Sequence, residues 1–207
     1  MPSIITLTMN PALDIATDVE RLVPGPKLRC GPVRREAGGG GVNVARAITA
    51  LGGDALALYA AGGATGSLVE DYLTEHDTPH RRLPIAGTTR ENLAVLERTT
   101  GERFRFVLPG PELTDSEWPR CVEATVAAAE GPYVVASGSL PPGVPDDFYV
   151  RLARALEPTG ARLLVDTSGP ALRASVAGGV HLIKPNFREF DELEGGLRKG
   201  RQDASKL

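Results

Sequence analysis

Cysteine, histidine and aromatic side chains are all scarce in this 207-residue chain. The two cysteines, Cys30 and Cys121, lie far apart and form no CxxC pair, so a zinc ribbon, a redox pair and a disulfide framework are all disfavoured. Two of the three histidines, His76 and His80, have the i, i+4 spacing of helical metal ligands, but Pro79 between them breaks a helix. A metal-dependent hydrolase is therefore a weak hypothesis. The cysteine usage fits a reducing compartment.

An excess of basic residues is also missing. The formal net charge is -3 and the isoelectric point is about 5.7, which leaves no electrostatic footprint for nucleic acid. The first ten residues lack the basic and long apolar regions of a signal peptide. The apolar run at residues 55–61 is far too short to span a bilayer. We therefore expect a cytoplasmic protein with neither nucleic acid nor membrane as a partner.

The chain does contain a regular alternation of strand and helix patterns. Apolar runs such as residues 3–10 and 55–61 predict buried strands, and residues 145–157 and 169–177 have the start signals of helices. This order predicts an α/β fold with a mostly parallel, doubly wound sheet. Ligands bind beyond the carboxyl ends of the strands in such sheets, so the residues after each strand are candidates for a site.

A hairpin is predicted within residues 92–110, because two extended runs flank Thr100-Gly101. Phe104, Phe106 and Leu108 alternate along the second run and would share one apolar face. A hairpin of this kind, placed between α/β units, suits a lid or a dimer contact.

Four consecutive glycines, Gly38–Gly41, directly precede a predicted helix. Each glycine loses more chain entropy on folding than other residues do, so the run indicates that something must approach the main chain closely. The loop matches neither the dinucleotide pattern GxGxxG nor the Walker pattern. Main-chain N–H groups at a helix start favour anions or polar oxygens, and Asn43 and Asp14 add groups that suit hydroxyls. We expect a polyhydroxylated ligand there.

Five short motifs occur along the chain, in the order LTMNPALD, the four-glycine loop with VNVARA, SGSLPPG, VDTSG and KPNFRE. Together they resemble the phosphofructokinase B family of ribokinase-like carbohydrate kinases. The resemblance covers residue 3 to about residue 194, and within the family it is strongest to the minor 6-phosphofructokinases of bacteria. The 1-phosphofructokinases tend to have a lysine in the glycine loop where this chain has Gly40.

The resemblance implies a ribokinase-like kinase domain over residues 1–194 whose carboxyl-terminal portion is missing. A small β lid would be formed by strands near residues 15–36 and 81–110, and residues 195–207 would form a polar tail. The lid would also join two copies of the chain into a homodimer.

The implied activity is ATP-dependent phosphorylation of a ketohexose phosphate, most simply fructose 6-phosphate to fructose 1,6-bisphosphate in glycolysis, with ATP and Mg²⁺. A 1-phosphofructokinase, a tagatose-6-phosphate kinase and an inactive sugar-phosphate-binding fragment remain alternatives. The resemblance assigns the sugar phosphate to Asp14, Gly39, Gly40, Gly41, Asn43, Arg90 and Ser139, with Lys27 and Arg105 as further candidates. It assigns the nucleotide to Asp166, Lys184 and Asn186, and the metal to Glu189.

The family takes its base from the aspartate of a GAGD motif, and no GAGD occurs in these 207 residues. The GGD at residues 52–54 follows the glycine-loop helix and does not correspond to that motif. We therefore expect no catalytic base in this chain, which puts its activity alone in doubt. We also expect exposed apolar surface, with poor solubility or dependence on a partner.

Overall fold

A computed structural model describes the backbone of residues 2–204 and the side chains of residues 2–195. The described chain alternates between ten strands, six α-helices and one 3₁₀ turn at Glu157–Thr159. The strands are β1 (Ile4–Thr8), β2 (Ala12–Val19), β3 (Arg34–Gly38), β4 (Ala55–Ala61), β5 (His80–Pro84), β6 (Arg90–Glu97), β7 (Arg103–Val107), β8 (Tyr133–Ser137), β9 (Arg162–Asp166) and β10 (Leu182–Ile183). The helices are α1 (Gly40–Ala50), α2 (Gly63–Glu75), α3 (Glu117–Ala128), α4 (Phe148–Leu156), α5 (Gly169–Ala177) and α6 (Phe187–Ala204).

The larger sheet has six strands in the order β10-β9-β8-β1-β4-β5, and every pair is parallel. Alternate residues of β4 enter different clusters: Leu58 and Ala60 join the main core, whereas Ala55 and Ala57 pack with Ala45 of α1. Helices therefore cover both faces of the sheet, as the alternating pattern predicts. The α/β class and the mostly parallel sheet are confirmed.

The smaller sheet has four strands in the order β3-β2-β6-β7. Strands β2 and β6 pair in parallel over their whole length, while β3 and β7 pair antiparallel at the two edges. The predicted hairpin within residues 92–110 corresponds to β6 and β7. Strand β5 pairs with β4 in the larger sheet, although the expected lid range of 81–110 included part of it.

The apolar face predicted for the glycine-loop helix was wrong in part. The spacing of Val44, Ile48 and Leu51 predicts one buried face, yet Leu51 is 87% exposed and lies just beyond the last turn of α1. The fully buried positions are instead Gly41, Val42 and Ala45. These small residues let α1 approach β1 and β4 closely, and that tight approach sets the buried face of the helix.

The last helix continues past the point where the sequence predicts it to end. A helix is predicted over residues 186–194 and a frayed polar tail after it, but the backbone of α6 remains helical through Ala204. Residues 195–204 include three glycines, which disfavour a helix, so helix propensity does not predict this continuation. Residues 205–207 lie outside the described residues.

Apolar side chains are exposed at the β10 end of the larger sheet. Leu182 is 46% exposed, and Phe187 and Phe190 at the start of α6 are 93% and 50% exposed. None of the helices within residues 2–204 has both the length and the apolar character that crossing a bilayer requires.

Candidate functional site

The glycine run connects β3 to α1 and passes between the two sheets. A Cβ on Gly38 would lie 2.2 Å from Oδ2 of Asp14, and a Cβ on Gly40 would lie 2.1 Å from Oγ of Ser137. A Cβ on Gly41 would meet β1 at 2.6 Å. The glycine composition predicts a close approach by a ligand, whereas the structure shows that the protein's own atoms already require glycine here. The packing places bare main chain between β2 of the small sheet and β8 of the large one.

The N-terminus of α1 opens at this run. Gly39 is the residue before the helix, and its φ of 118° lies in the region that favours glycine. It has no side chain to cap the first turn, and Oγ1 of Thr8 instead accepts a hydrogen bond of 2.9 Å from the main-chain N–H of Val42. Asn43 follows in the same turn with an exposed side chain. The partial positive charge of a helix start therefore faces the region beyond the ends of β1 and β8.

Asp14 lies on β2 and is half-buried. Its Oδ1 accepts a 2.9 Å hydrogen bond from Nδ2 of Asn92, its register partner on β6. Oδ1 of Asn92 in turn accepts from the main-chain N–H of Leu108 at 3.3 Å. This chain of bonds fixes the orientation of the Asp14 carboxylate.

An open groove of about 480 Å³ runs over this face of the small sheet. Its charged lining places two carboxylates among three arginines, a set that suits a ligand with both hydroxyl and phosphate groups. The charged and amide side chains that line it are Asp14, Glu36, Arg90, Asn92, Arg103 and Arg105.

Arg90 begins β6, and its guanidinium is held by two main-chain carbonyls. Nη1 donates to the carbonyl of Leu108 at 3.0 Å, and Nη2 donates to the carbonyl of Asn10 at 3.1 Å. The Nε atom is buried and has no hydrogen-bond partner among the described residues. Burial lowers the pKa of Arg90, and the nearby Asp14 carboxylate partly offsets the effect. A half-buried, incompletely paired guanidinium is suited to binding an anion.

Ser139 lies in the loop after β8, and its side chain is exposed. Its Oγ accepts a 3.1 Å hydrogen bond from Nδ2 of Asn10, the residue whose carbonyl holds Arg90. The structure therefore brings Arg90 and Ser139 together around Asn10, although they are far apart in the sequence.

Asp166 ends β9 and joins two neighbouring groups. Its Oδ2 accepts from Oγ of Ser137 at 3.3 Å and lies 3.2 Å from Nζ of Lys184. Because Ser137 also lies against Gly40, one polar chain leads from the glycine run to Lys184.

Asn186 and Glu189 cap the start of α6. Oδ1 of Asn186 accepts from the N–H of Glu189 at 3.0 Å, and Oε2 of Glu189 accepts from the N–H of Asn186 at 2.8 Å. This reciprocal pair is a capping box, and the N-x-x-E spacing could have predicted it. Within residues 2–195, no cluster of three or more histidine, cysteine or carboxylate side chains is placed to hold a metal ion. A single carboxylate still suits Mg²⁺, which commonly keeps several waters and binds substrate phosphates.

The remaining candidates divide between the groove and the outer surface. Arg105 on β7 lines the groove beside Arg103. Lys27 is exposed on the segment between β2 and β3, and it does not belong to the groove lining.

Four further side chains, those of Thr8, Asn10, Arg46 and Asn92, lie at the site without having been predicted from the sequence. Arg90 and Asn92 are two residues apart on one strand and share a face, so the period of β6 could have identified Asn92. Arg46 donates to the carbonyl of Ala37 at 3.2 Å, which ties α1 to the glycine run. Thr8 and Asn10 lie in the motif LTMNPALD, but their roles depend on contacts with residues distant in sequence, which the motif does not contain.

Comparisons with known proteins agree with this arrangement. The family model for the pfkB family carbohydrate kinases matches residues 7–207. ATP-dependent 6-phosphofructokinase isozyme 2 of Mycobacterium tuberculosis is 50% identical over 195 residues, which are 94% of this chain and 57% of that protein. The isozyme 2 of Escherichia coli is 43% identical over 194 residues, which are 93% of this chain and 63% of that protein.

Solved structures give the same result. Phosphofructokinase-2 from Escherichia coli in complex with fructose-6-phosphate superposes with a TM-score of 0.89 at 42% identity, covering 98% of this chain and 70% of that one. The chain thus spans between 57% and 63% of the length of the two curated relatives. The match over almost the whole sequence shows that the chain belongs to the pfkB family of carbohydrate kinases.

Proposed function

We propose that the protein is part of an ATP-dependent 6-phosphofructokinase that converts fructose 6-phosphate to fructose 1,6-bisphosphate. The observation that carries the proposal is the junction of the two sheets. There, bare main chain at the start of α1 lies between the Asp14 carboxylate and Ser137, with Arg90 and Ser139 nearby. The relatives at 43% and 50% identity carry this activity in their names.

The two ends of the sugar phosphate require different chemistry, and the site offers both. Arg90 and Ser139 supply donors for the phosphate, and Arg105 on β7 adds positive charge at the groove. Asp14 would accept bonds from sugar hydroxyls, and the main chain of Gly39–Gly41 and the Asn43 amide would contact the same ring. The bond from Asn92 holds Asp14 in one orientation, so less ordering is required when the ligand binds.

The nucleotide end would involve Asp166, Lys184 and Asn186, and Glu189 would hold Mg²⁺ through water. When bound, the metal would neutralise charge on the transferring phosphoryl group. Lys184 already lies 3.2 Å from Asp166, so a nucleotide phosphate would compete with that carboxylate for the ammonium group. Glu189 already uses its Oε2 atom to accept the capping bond from the N–H of Asn186. A metal ion would therefore have to displace that bond or share the carboxylate with it. We assign no residue of the described chain as the base for the attacking hydroxyl.

A 1-phosphofructokinase is the second candidate. A relative named 1-phosphofructokinase from Xanthomonas campestris is 35% identical over 197 residues, and one from Bacillus subtilis is 31% identical over 192 residues. Both identities are lower than those of the 6-phosphofructokinase relatives, and this difference favours fructose 6-phosphate. Tagatose 6-phosphate differs from fructose 6-phosphate at a single hydroxyl and is a third ligand to compare.

Binding and turnover test the proposal separately. Isothermal titration calorimetry should show that the chain binds fructose 6-phosphate more tightly than fructose 1-phosphate or tagatose 6-phosphate. A coupled assay for ADP release then asks whether the bound sugar is phosphorylated. Binding without turnover would support the sugar-phosphate-binding alternative. Preference for fructose 1-phosphate, or no binding of any ketose phosphate, would contradict the assignment.

We also propose that the small sheet pairs with a second copy of the chain. Its outer strand and the residue after it expose Phe106 and Leu108, which share one face, to 46% and 51%, and buried apolar area is the usual source of dimer affinity. Phe106→Arg should convert a dimer to a monomer in light scattering, and Leu51→Arg, which changes an exposed leucine elsewhere, should not. A wild-type chain that is monomeric at micromolar concentration would contradict this proposal.

Location in the cytoplasm also remains a prediction.

A further inference from the structure

Asn10 lies between β1 and β2 and contacts Arg90 and Ser139, the two residues proposed to bind the phosphate. Its side-chain Nδ2 donates to Oγ of Ser139 at 3.1 Å, and its main-chain carbonyl accepts from Nη2 of Arg90 at 3.1 Å. Ser139 follows β8 of the large sheet, whereas Arg90 belongs to β6 of the small one. Asn10 is therefore the residue that joins the two sides of the anion-binding end.

The burial of Asn10 is costly for an amide. The residue is only 6% exposed, and its Oδ1 is buried without a hydrogen-bond partner among the described residues. A buried, unpaired polar atom destabilises a fold, so its presence indicates a use other than packing.

The fold leaves room for this amide at Gly110. A Cβ on Gly110 would lie 2.1 Å from Oδ1 of Asn10, so an alanine at that position would displace the side chain. Pro11 follows Asn10 and restricts its backbone to extended conformations, which helps to hold its carbonyl where Arg90 contacts it.

We propose that Asn10 is the positioning residue for recognition of the sugar phosphate. Because Nδ2 donates to Oγ of Ser139, the serine hydroxyl cannot donate back to Asn10, and its own hydrogen is left for the phosphate. At the same time, the Asn10 carbonyl holds the Arg90 fork beside that hydroxyl. The inference rests on the proposed function, and it adds a residue that selects for the phosphate group.

Two substitutions distinguish positioning from packing. Asn10→Ala removes the donor that orients the Ser139 hydroxyl and should weaken binding of fructose 6-phosphate about tenfold, the effect expected if that hydroxyl loses its own hydrogen bond to the phosphate. Asn10→Asp keeps the shape but offers Ser139 a carboxylate acceptor, which turns the hydroxyl away from the ligand and repels the phosphate. The aspartate variant should therefore bind more weakly than the alanine variant. A packing role predicts the opposite order, because aspartate preserves the shape.

The ligands are fructose 6-phosphate, fructose and inorganic phosphate, each titrated by calorimetry. We expect both Asn10 variants to lose affinity for the two phosphate-containing ligands and to keep whatever affinity the wild type has for fructose. Gly110→Ala should reproduce the effect of Asn10→Ala. Thr125→Val is the control for a lost buried hydroxyl, because the Thr125 hydroxyl donates to the carbonyl of Cys121 within α3. This variant should bind all three ligands as the wild type does. Melting by circular dichroism verifies that each variant is folded.

Each outcome bears on one of the two proposals. If the wild type binds inorganic phosphate but not fructose 6-phosphate, and Asn10→Ala weakens phosphate binding, the kinase assignment fails and the role of Asn10 stands. Folded Asn10 variants that bind both phosphate ligands as the wild type does would overturn the role of Asn10 alone. A wild type that binds neither ligand overturns both.

Discussion

Replacement of Gly40 by alanine tests the junction of the two sheets most directly. The added Cβ would lie 2.1 Å from Oγ of Ser137 and 2.8 Å from its carbonyl carbon, whereas ordinary contact begins at 3.4 Å. Ser137 is 4% exposed and its strand is paired on both sides, so its main chain cannot yield. Rotation of its hydroxyl would also break the 3.3 Å bond to Asp166. The first turn of α1 must therefore move away from β8.

The size of the effect follows from this clash. Overpacking at a tight site costs about 1 to 3 kcal/mol, which for a chain of this length lowers Tm by about 2 to 12 °C. Movement of about 1 Å at the start of α1 would misplace the main-chain donors, which can reduce activity or binding about a hundredfold. We expect Gly40→Ala to bind fructose 6-phosphate at least tenfold more weakly.

The assays are thermal melting by circular dichroism and calorimetry with fructose 6-phosphate. Gly195→Ala is the matched control, because Gly195 also lies in a helix and a Cβ there would meet nothing within 4 Å. Its Tm should stay the same or rise slightly. A Gly40→Ala protein with wild-type Tm would refute the packing of the run. A Gly40→Ala protein with a lowered Tm but unchanged affinity would show that the glycine run is not part of the binding site.

Three further predictions concern other parts of the molecule. Burial raises the pKa of the Cys121 thiol to about 12, so at pH 8 a thiol reagent should label the exposed Cys30 in native protein and Cys121 only after unfolding. Two equal, fast labelling phases would contradict this. Hydrogen bonds from the Thr114 and Ala86 main-chain N–H groups lower the pKa of the Glu117 carboxyl below its ordinary 4.5. Glu117→Gln should therefore lose about 1 to 3 kcal/mol in urea unfolding at pH 7. The difference should shrink as the pH falls from 4.5 through the lowered pKa, since protonation removes the same charge from the wild type. Arg46→Met removes hydrogen bonds to the Ala37 carbonyl and to the Asn43 and Tyr72 side chains. Calorimetry should therefore show several-fold weaker sugar-phosphate binding. Unchanged affinity would show that the bond from Arg46 to Asn43 is not required for binding.

The sequence predicts the layers of this fold better than the details of its packing. Period-two and apolar runs locate the strands of the large sheet, because a parallel sheet buried on both faces leaves a strong local signal. The buried face of α1 is set by how closely the helix approaches β1 and β4, so the local spacing that ends at Leu51 gives the wrong answer. The continuation of α6 has neither an apolar period nor a high helix propensity, because three glycines fall within residues 195–204, so the local sequence does not predict it.

The same division holds for the candidate site. Asp14 and Ser139 lie in the quoted motifs, the family resemblance assigns Arg90, and the structure brings Arg90 and Ser139 together around Asn10. The roles of Asn10 and Thr8 come from contacts between residues far apart in the chain, and spacing contains no trace of them. The glycine run shows a subtler gap. Its composition indicates a close approach, but only the structure shows that Ser137 and Asp14 make it.

Every segment that connects one sheet to the other contains or adjoins a residue that contacts the candidate site. The first crosses at Asn10, the second at Gly39, the third just before Arg90 and the fourth at residues 108–110. A hinge at these points would share its residues with the binding site. A ligand that binds Asp14 on one sheet and Ser139 on the other would fix the angle between the two sheets. A tilt of the small sheet would then weaken the contacts with the ligand.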